Sequence, residues 1–221
     1  MSGKLTPSKP FLLLLYGYPG SGKTLFARQL ADELDNTVHL NADKLEHDLS
    51  QEISGESQYS SNIFKTVQKY MAEEYLSSGI SVILDTPVTK KSQRRIFRNL
   101  AISHKSVPLL VWIQIDPESS FNRTNKRDRR KSEDKYATEY TPEDYQTILS
   151  NSQNPDNEDF IVISGKHTYK SQRVAILKKL YEQGVIKLDD SIKSIVKPEL
   201  VNLVPKFHSR GDILRRNISI R

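Results

Sequence analysis

Residues Gly17, Tyr18, Pro19, Gly20, Ser21, Gly22, Lys23 and Thr24 constrain this chain more than any other segment, because they complete the pattern G-x4-G-K-[ST] between two elements of different periodicity. Before them, Phe11 to Tyr16 is continuously apolar, the mark of a central strand buried on both faces. After them, Leu25, Phe26, Leu30, Ala31 and Leu34 recur at helical spacing. A strand that passes into a helix through glycines can curl its backbone so that successive N–H groups face one anion, with the helix N-terminus aimed at the same charge. Lys23 then brings positive charge to the β- and γ-phosphates of a nucleotide, and the Thr24 hydroxyl is a ligand for Mg²⁺. All eight residues are candidates for nucleotide binding. The bland alternative is a glycine-rich turn followed by a fortuitous Lys-Thr pair.

The rest of the chain alternates in the same way, which predicts a parallel sheet covered on both faces. Strands are expected at Thr37–Ala42, Ser81–Leu84, Leu109–Ile115 and Phe160–Ser164. Helices are expected at Thr24–Leu34, from about Asp43, at Asn62–Ser77, Lys90–Ser103 and Pro117–Arg130, from a Thr141 cap onward, and at Lys170–Glu182, closed by Gly184. The expected organisation is an N-terminal extension over residues 1–10, an α/β domain over 11–184 and a basic appendage over 185–221. Tyr59, Phe64, Tyr70, Tyr75, Trp112 and Phe121 read as core or groove-lining residues, since they form no interleaved basic–aromatic stripe.

Composition excludes several classes. No apolar run approaches the roughly 20 residues of a membrane-spanning helix, and no secretory leader is readable, so a cytoplasmic protein without a membrane partner is expected. Cysteine is absent, which removes disulfides and thiolate metal sites. The net charge of +6 is concentrated: residues 185–221 hold eight Lys/Arg against four Asp/Glu, and Arg123 to Lys135 holds seven against three. Both segments are candidates for a polyanionic partner such as nucleic acid, or are solvated faces.

Four places along the chain carry a family resemblance: the loop at residues 17–24, Asn41-Ala42-Asp43 after the second strand, Val82-Ile83-Leu84-Asp85-Thr86 ending the third, and Arg123-x-x-x-Arg127 after the fourth. In their order and spacing they resemble the small P-loop kinases, a group that includes polynucleotide 5′-hydroxyl kinases, zeta-type toxins and AAA-type kinases. The resemblance spans residues 11–184. It implies the P-loop NTPase fold, a five-stranded parallel sheet in the order 2-3-1-4-5 with helices on both faces and a basic lid. It also implies ATP and Mg²⁺ as cofactors, and transfer of the γ-phosphoryl group to an acceptor hydroxyl on a small metabolite or a nucleic-acid end.

That resemblance assigns roles. Asp43 becomes the general base, with a helix cap as the alternative; Asp85 joins Thr24 in holding Mg²⁺, with a strand-end turn as the alternative. Lys23, Arg123 and Arg127 stabilise the transferring phosphoryl group, the two arginines one helical turn apart at the base of the lid. Gly165, after the fifth strand, is a candidate for contact with the nucleotide base or a simple turn residue. The family pattern continues Asp-x-x-Arg, whereas this chain has Asp43-Lys44-Leu45-Glu46. Thr86 stands where ATP-driven motors place a carboxylate beside the Asp, which favours a kinase over a P-loop NTPase whose hydrolysis drives movement. A nucleotide- or nucleic-acid-binding module without turnover is the remaining alternative.

Overall fold

The six side chains of Phe11–Tyr16 are all at most 3% exposed, and that burial decides the architecture. A strand apolar on both faces needs cover on both, and each buried Leu contributes about 1.5–3 kcal/mol. The computed structural model describes residues 4–52, 60–127 and 135–187. In chain order its elements are β1 (Phe11–Tyr16), α1 (Lys23–Glu33), β2 (Thr37–Asn41), α2 (Ala42–Glu52), α3 (Ser60–Ser77), β3 (Ser81–Asp85), α4 (Lys91–Ser103), β4 (Val107–Gln114), α5 (Pro117–Asn125), α6 (Pro142–Asn151), β5 (Phe160–Ser164) and α7 (Tyr169–Glu182).

The strands form one parallel sheet in the order β2-β3-β1-β4-β5, as expected. Leu12, Leu14 and Tyr16 face α3 and α4, where they pack with Ala72, Leu76, Phe97, Leu100 and Ala101. Helices α1 and α7 form the second group of helices against the sheet. The strand neighbours switch sides at β1, with β3 on one flank and β4 on the other. In such sheets the carboxyl ends of the strands at the switch form the ligand crevice. Here those ends are Tyr16 of β1, followed by the glycine-rich loop, Asp85 of β3 and Asn41 of β2.

Two expected helices carry side-chain caps, of which only the one at Thr141 is expected from sequence. Thr141 accepts the Asp144 N–H at 3.1 Å and starts α6, and Asp116 accepts the Ser119 N–H at 2.8 Å and starts α5. Helix α5 is shorter than expected: it ends at Asn125, and Lys126 has left helical geometry with φ −95° and ψ 7°. Arg123, Lys126 and Arg127 would lie at i, i+3 and i+4 on one continuous helix, where like charges repel. Arg127 therefore does not share a helical face with Arg123. Residues 128–134, the rest of the expected lid, lie outside the described residues.

At the chain ends, Leu5 bridges Leu34 of the α1–β2 connection, and the Ser8 N–H donates to the Val185 carbonyl at 2.7 Å. Val185 and Ile186 are buried (0% and 3% exposed). They follow the α7 terminus through Gly184, whose φ of 65° is the left-handed conformation that closes a helix. One compact unit thus extends to Lys187. The tail from residue 188, including every basic residue expected there beyond Lys187, lies outside the described residues. No described helix is long and apolar enough to cross a membrane.

Candidate active site

The loop between β1 and α1 is built on close approaches that only glycine permits. A Cβ at Gly17 would sit 2.6 Å from the Ile113 carbonyl oxygen, and one at Gly20, where φ is 84°, would collide with the Ser120 carbonyl oxygen. The Ser120 hydroxyl is itself fully buried and donates to the Pro19 carbonyl at 2.6 Å, pinning the loop to α5. Gly22 starts α1 at φ 98° without a side-chain cap, so the first N–H groups of the helix remain available to an anion. Lys23 folds back over the loop, its ammonium donating to the carbonyls of Gly17 (2.8 Å) and Tyr18 (3.0 Å). Burial lowers its pKa, while the carboxylates of Asp85 and Asp43 act in the opposite direction.

Asp85 ends β3 and is the centre of a compact polar group. Its Oδ2 accepts the Thr24 hydroxyl at 2.6 Å and the Asn41 amide at 3.3 Å. The His39 imidazole Nε2 is 3.7 Å from the same oxygen, beyond hydrogen-bonding distance. Burial pushes the Asp85 carboxyl up, but His39, Lys23 and the Thr24 hydroxyl outweigh it and hold the carboxyl below its usual range. A hydroxyl and a carboxylate oxygen this close are hard donors that suit Mg²⁺, which binds through one or two protein oxygens and leaves its other positions to phosphate and water. Among the described residues no cluster of three or more His, Asp or Glu forms a dedicated metal cage.

Asp43 occupies the first turn of α2, and the capping role falls to a different residue. The Asn41 side-chain oxygen accepts the Lys44 N–H at 2.8 Å, so Asn41 caps the helix and leaves the Asp43 carboxylate facing the cleft. Burial, then the negative charge of Asp85, raises the Asp43 pKa from 3.8 to about 6, despite opposition from Lys23 and Arg127.

A single cleft of about 730 Å³ joins these groups. Gly17, Tyr18, Pro19, Gly20, Gly22, Lys23, Thr24, Asp43, Asp85, Arg123 and Arg127 all line it. Ser21 is buried beneath the loop instead, and Gly165 packs behind it, where an added Cβ would come within 2.8 Å of the Ser21 carbonyl oxygen. The Gly165 carbonyl still touches the site indirectly, since it accepts from Arg123 at 2.8 Å. Arg127 donates to the Thr138 carbonyl at 3.2 Å. The two arginines thus reach one cleft from a helix end and from the chain beyond it.

His39, Tyr136 and Tyr140 also line the cleft and were not singled out from sequence. The signal for His39 was available: it lies two residues before Asn41 on β2, hence on the same face of that strand. Tyr136 and Tyr140 sit in an irregular segment with no periodicity to mark them. Of the aromatic residues that were singled out, Phe64 is buried, but Tyr70 is 61% exposed and lies outside both core and cleft.

A family model described as an AAA domain matches residues 12–150, from β1 to the end of α6. The chain belongs to this AAA-domain family. No curated protein matches it by sequence. Solved structures extend the likeness beyond the matched span. Kti12 of Chaetomium thermophilum, in complex with ADP-AlF3, aligns with a TM-score of 0.60 at 15% identity over 80% of this chain and 100% of its own. The APS kinase CysC of Mycobacterium tuberculosis, in complex with AMPPNP and APS, aligns at 0.58 and 19% over 79% and 99%. A gluconokinase from Sinorhizobium meliloti 1021 aligns at 0.52 and 17% over 79% and 97%. At these identities the likeness shows the fold alone: the parallel α/β architecture is shared with these structures over about four-fifths of the chain.

Proposed function

We propose that this AAA-domain protein is an ATP-dependent phosphotransferase that moves the γ-phosphoryl group to an acceptor hydroxyl. The observation that carries this reading is Asp43: a carboxylate with a pKa near 6, lining the same cleft as the phosphate loop and accepting no hydrogen bond from any described residue. A general base works best when its pKa lies close to the operating pH.

In the proposed reaction the acceptor oxygen attacks the γ-phosphorus and its proton passes to the Asp43 carboxylate. The bond from the γ-phosphorus to the β,γ-bridging oxygen breaks, and ADP leaves with that electron pair. Lys23 exchanges its two backbone carbonyls for phosphate oxygens, which suits an ammonium already held over the loop. Arg123 and Arg127 supply guanidinium charge to the equatorial oxygens, where the transition state spreads its own. Thr24 and Asp85 would hold Mg²⁺, which when bound neutralises charge on the β- and γ-phosphates. Beside Asp85, Thr86 is 4% exposed and offers no second carboxylate to activate water. The nucleotides bound by Kti12 and the APS kinase support the nucleotide half of this reading.

The test is acceptor-dependent consumption of ATP. Purified protein is given γ-labelled ATP, with Mg²⁺, alone and with pools of nucleosides, 5′-hydroxyl oligonucleotides and sugars. Label is expected on one pool, with little release of phosphate when the acceptor is omitted. Hydrolysis at the same rate with and without every pool would overturn the proposal.

A further inference from the structure

Three polar side chains gather on one oxygen of Asp85. Its Oδ2 accepts from Thr24 of α1 and from Asn41 of β2, and His39 of β2 brings its Nε2 to 3.7 Å of the same atom. Strand register explains the meeting. Along the parallel β2–β3 ladder His39 pairs with Ile83 and Asn41 with Asp85, and residues two apart on a strand share a face. His39, Asn41 and Asp85 therefore stand together on the face opposite Leu40, Val82 and Leu84, which belong to the core cluster with α3 and α4. Among the described residues, every hydrogen bond to the Asp85 carboxylate goes to Oδ2 and none to Oδ1.

His39 has no role in the fold that its chemistry explains. Its ring borders the cleft, yet Nε2 is sealed from solvent and has no hydrogen-bond partner among the described residues. A buried polar atom without a partner destabilises a protein, and Leu or Val would suit a buried strand position without that cost. The only carboxylate within 4 Å of the imidazole nitrogens among the described residues is Asp85. The terminal torsion of an aspartate is soft and nearly two-fold, so its neighbours decide which oxygen is held and which is left for a ligand.

From this arrangement we propose that His39 is a positioning residue for the divalent cation that accompanies the nucleotide: its Nε2–H closes on Asp85 Oδ2 and fixes the carboxylate, leaving Oδ1 to the cation. Either the neutral imidazole protonated at Nε2 or the imidazolium supplies that hydrogen. Hydrogen-bond partners of a metal-binding carboxylate set its orientation and with it the affinity for the metal. The proposal rests on the nucleotide and Mg²⁺ half of the phosphotransferase reading and needs no particular acceptor.

The experiment titrates AMPPNP calorimetrically into the full chain, once with Mn²⁺ and once metal-free in EDTA, for the wild type, His39→Leu, His39→Val and His39→Gln. Leu and Val remove the donor, whereas Gln sets an amide N–H near the place of Nε2. The Leu and Val variants are expected to bind AMPPNP with Mn²⁺ about tenfold more weakly than the wild type, the lower end of the effect of losing such a partner, and to bind the metal-free analogue unchanged. His39→Gln is expected to retain the wild-type affinity in both titrations. The Tm of His39→Leu is expected to hold or rise, because the unpartnered donor is gone. A lower Tm with both affinities intact would make His39 a packing residue and overturn the proposal, as would failure of both donor-free variants to fold. Equal losses with and without Mn²⁺, or a Gln variant as weak as Leu, also overturn it. So does a wild type that gains nothing from Mn²⁺. Absence of any acceptor-dependent use of ATP would remove the kinase reading while leaving a selective loss with Mn²⁺ in place.

Discussion

At the scale of single residues, the environment of Asp43 acts in opposite directions on stability and on activity. Its pKa rises from 3.8 to about 6 in the folded protein, so between those values the folded state binds more protons than the unfolded one. The stability that accompanies the protonated carboxyl is complete below 3.8 and is lost as the pH rises through about 6. Above that, the ionised group costs on the order of 1–2 kcal/mol once solvent screening is allowed for. Asp43→Asn removes the cost, so its Tm should exceed that of the wild type at pH 8 and match it near pH 3.5. The same variant should lose phosphoryl transfer by about 100-fold or more with ATP affinity nearly intact, while the wild-type rate falls on acidification with an apparent pKa near 6. Equal loss of ATP affinity and rate would make Asp43 a structural or metal-binding residue instead. Lys23→Ala is expected to weaken nucleotide binding and to abolish transfer, because no other side chain of the loop carries charge; isothermal titration with a non-hydrolysable ATP analogue, beside the transfer assay, checks both halves.

At the scale of elements, one buried ion pair ties the wall of the cleft together. Arg94 of α4, 2% exposed, contacts Glu158 through its NH2 group at 2.6 Å and donates to the Gln153 carbonyl at 2.8 Å. Its guanidinium also stacks over the Tyr16 ring at 4.8 Å, and the Tyr16 hydroxyl donates to Asn154 at 2.9 Å. The stretch from Ser152 to Glu158 is thereby held against both α4 and the end of β1, beside the cleft. Arg94→Ala leaves the Glu158 charge and the Gln153 carbonyl without their partner, and is expected to destabilise the fold by about 3–5 kcal/mol. Urea denaturation measures this, and a change within about 0.5 kcal/mol, the scale of an ordinary surface substitution, would mean that the pair is dispensable.

At the scale of the whole molecule, the compact unit that contains every proposed site residue ends at Lys187. Residues 188–221 hold seven Lys/Arg against four Asp/Glu, three of the net +6. A chain ending at Lys187 is expected to keep the nucleotide affinity and transfer rate of the full chain. If the tail engages nucleic acid, the shorter chain binds oligonucleotides more weakly and with a shallower dependence on salt, because fewer counterions are released. Filter binding at 50 and 200 mM salt, concentrations across which such binding changes steeply (roughly 10³-fold or more), compares the two. Loss of nucleotide affinity on truncation would place the tail within the fold.

What the chain's order of residues determined by itself is local in origin. The run Phe11–Tyr16 could only be a central strand, since nothing but cover on both faces buries six consecutive apolar side chains. The glycine pattern after it predicts a loop of close backbone approaches, and the Thr141 cap acts on an N–H group three residues away. Side chains brought together from distant elements were decided by the tertiary structure alone. Asn41 was legible as part of a motif, yet its capping of α2, which frees Asp43, depends on where β2 hands over to the helix. Arg123 and Arg127 do not share a helical face because α5 ends at Asn125, where the periodicity alone would have continued the helix. Tyr136 and Tyr140 lie on an irregular segment, where no repeat marks which face is inward, and only packing against α2 and the cleft distinguishes them from surface tyrosines.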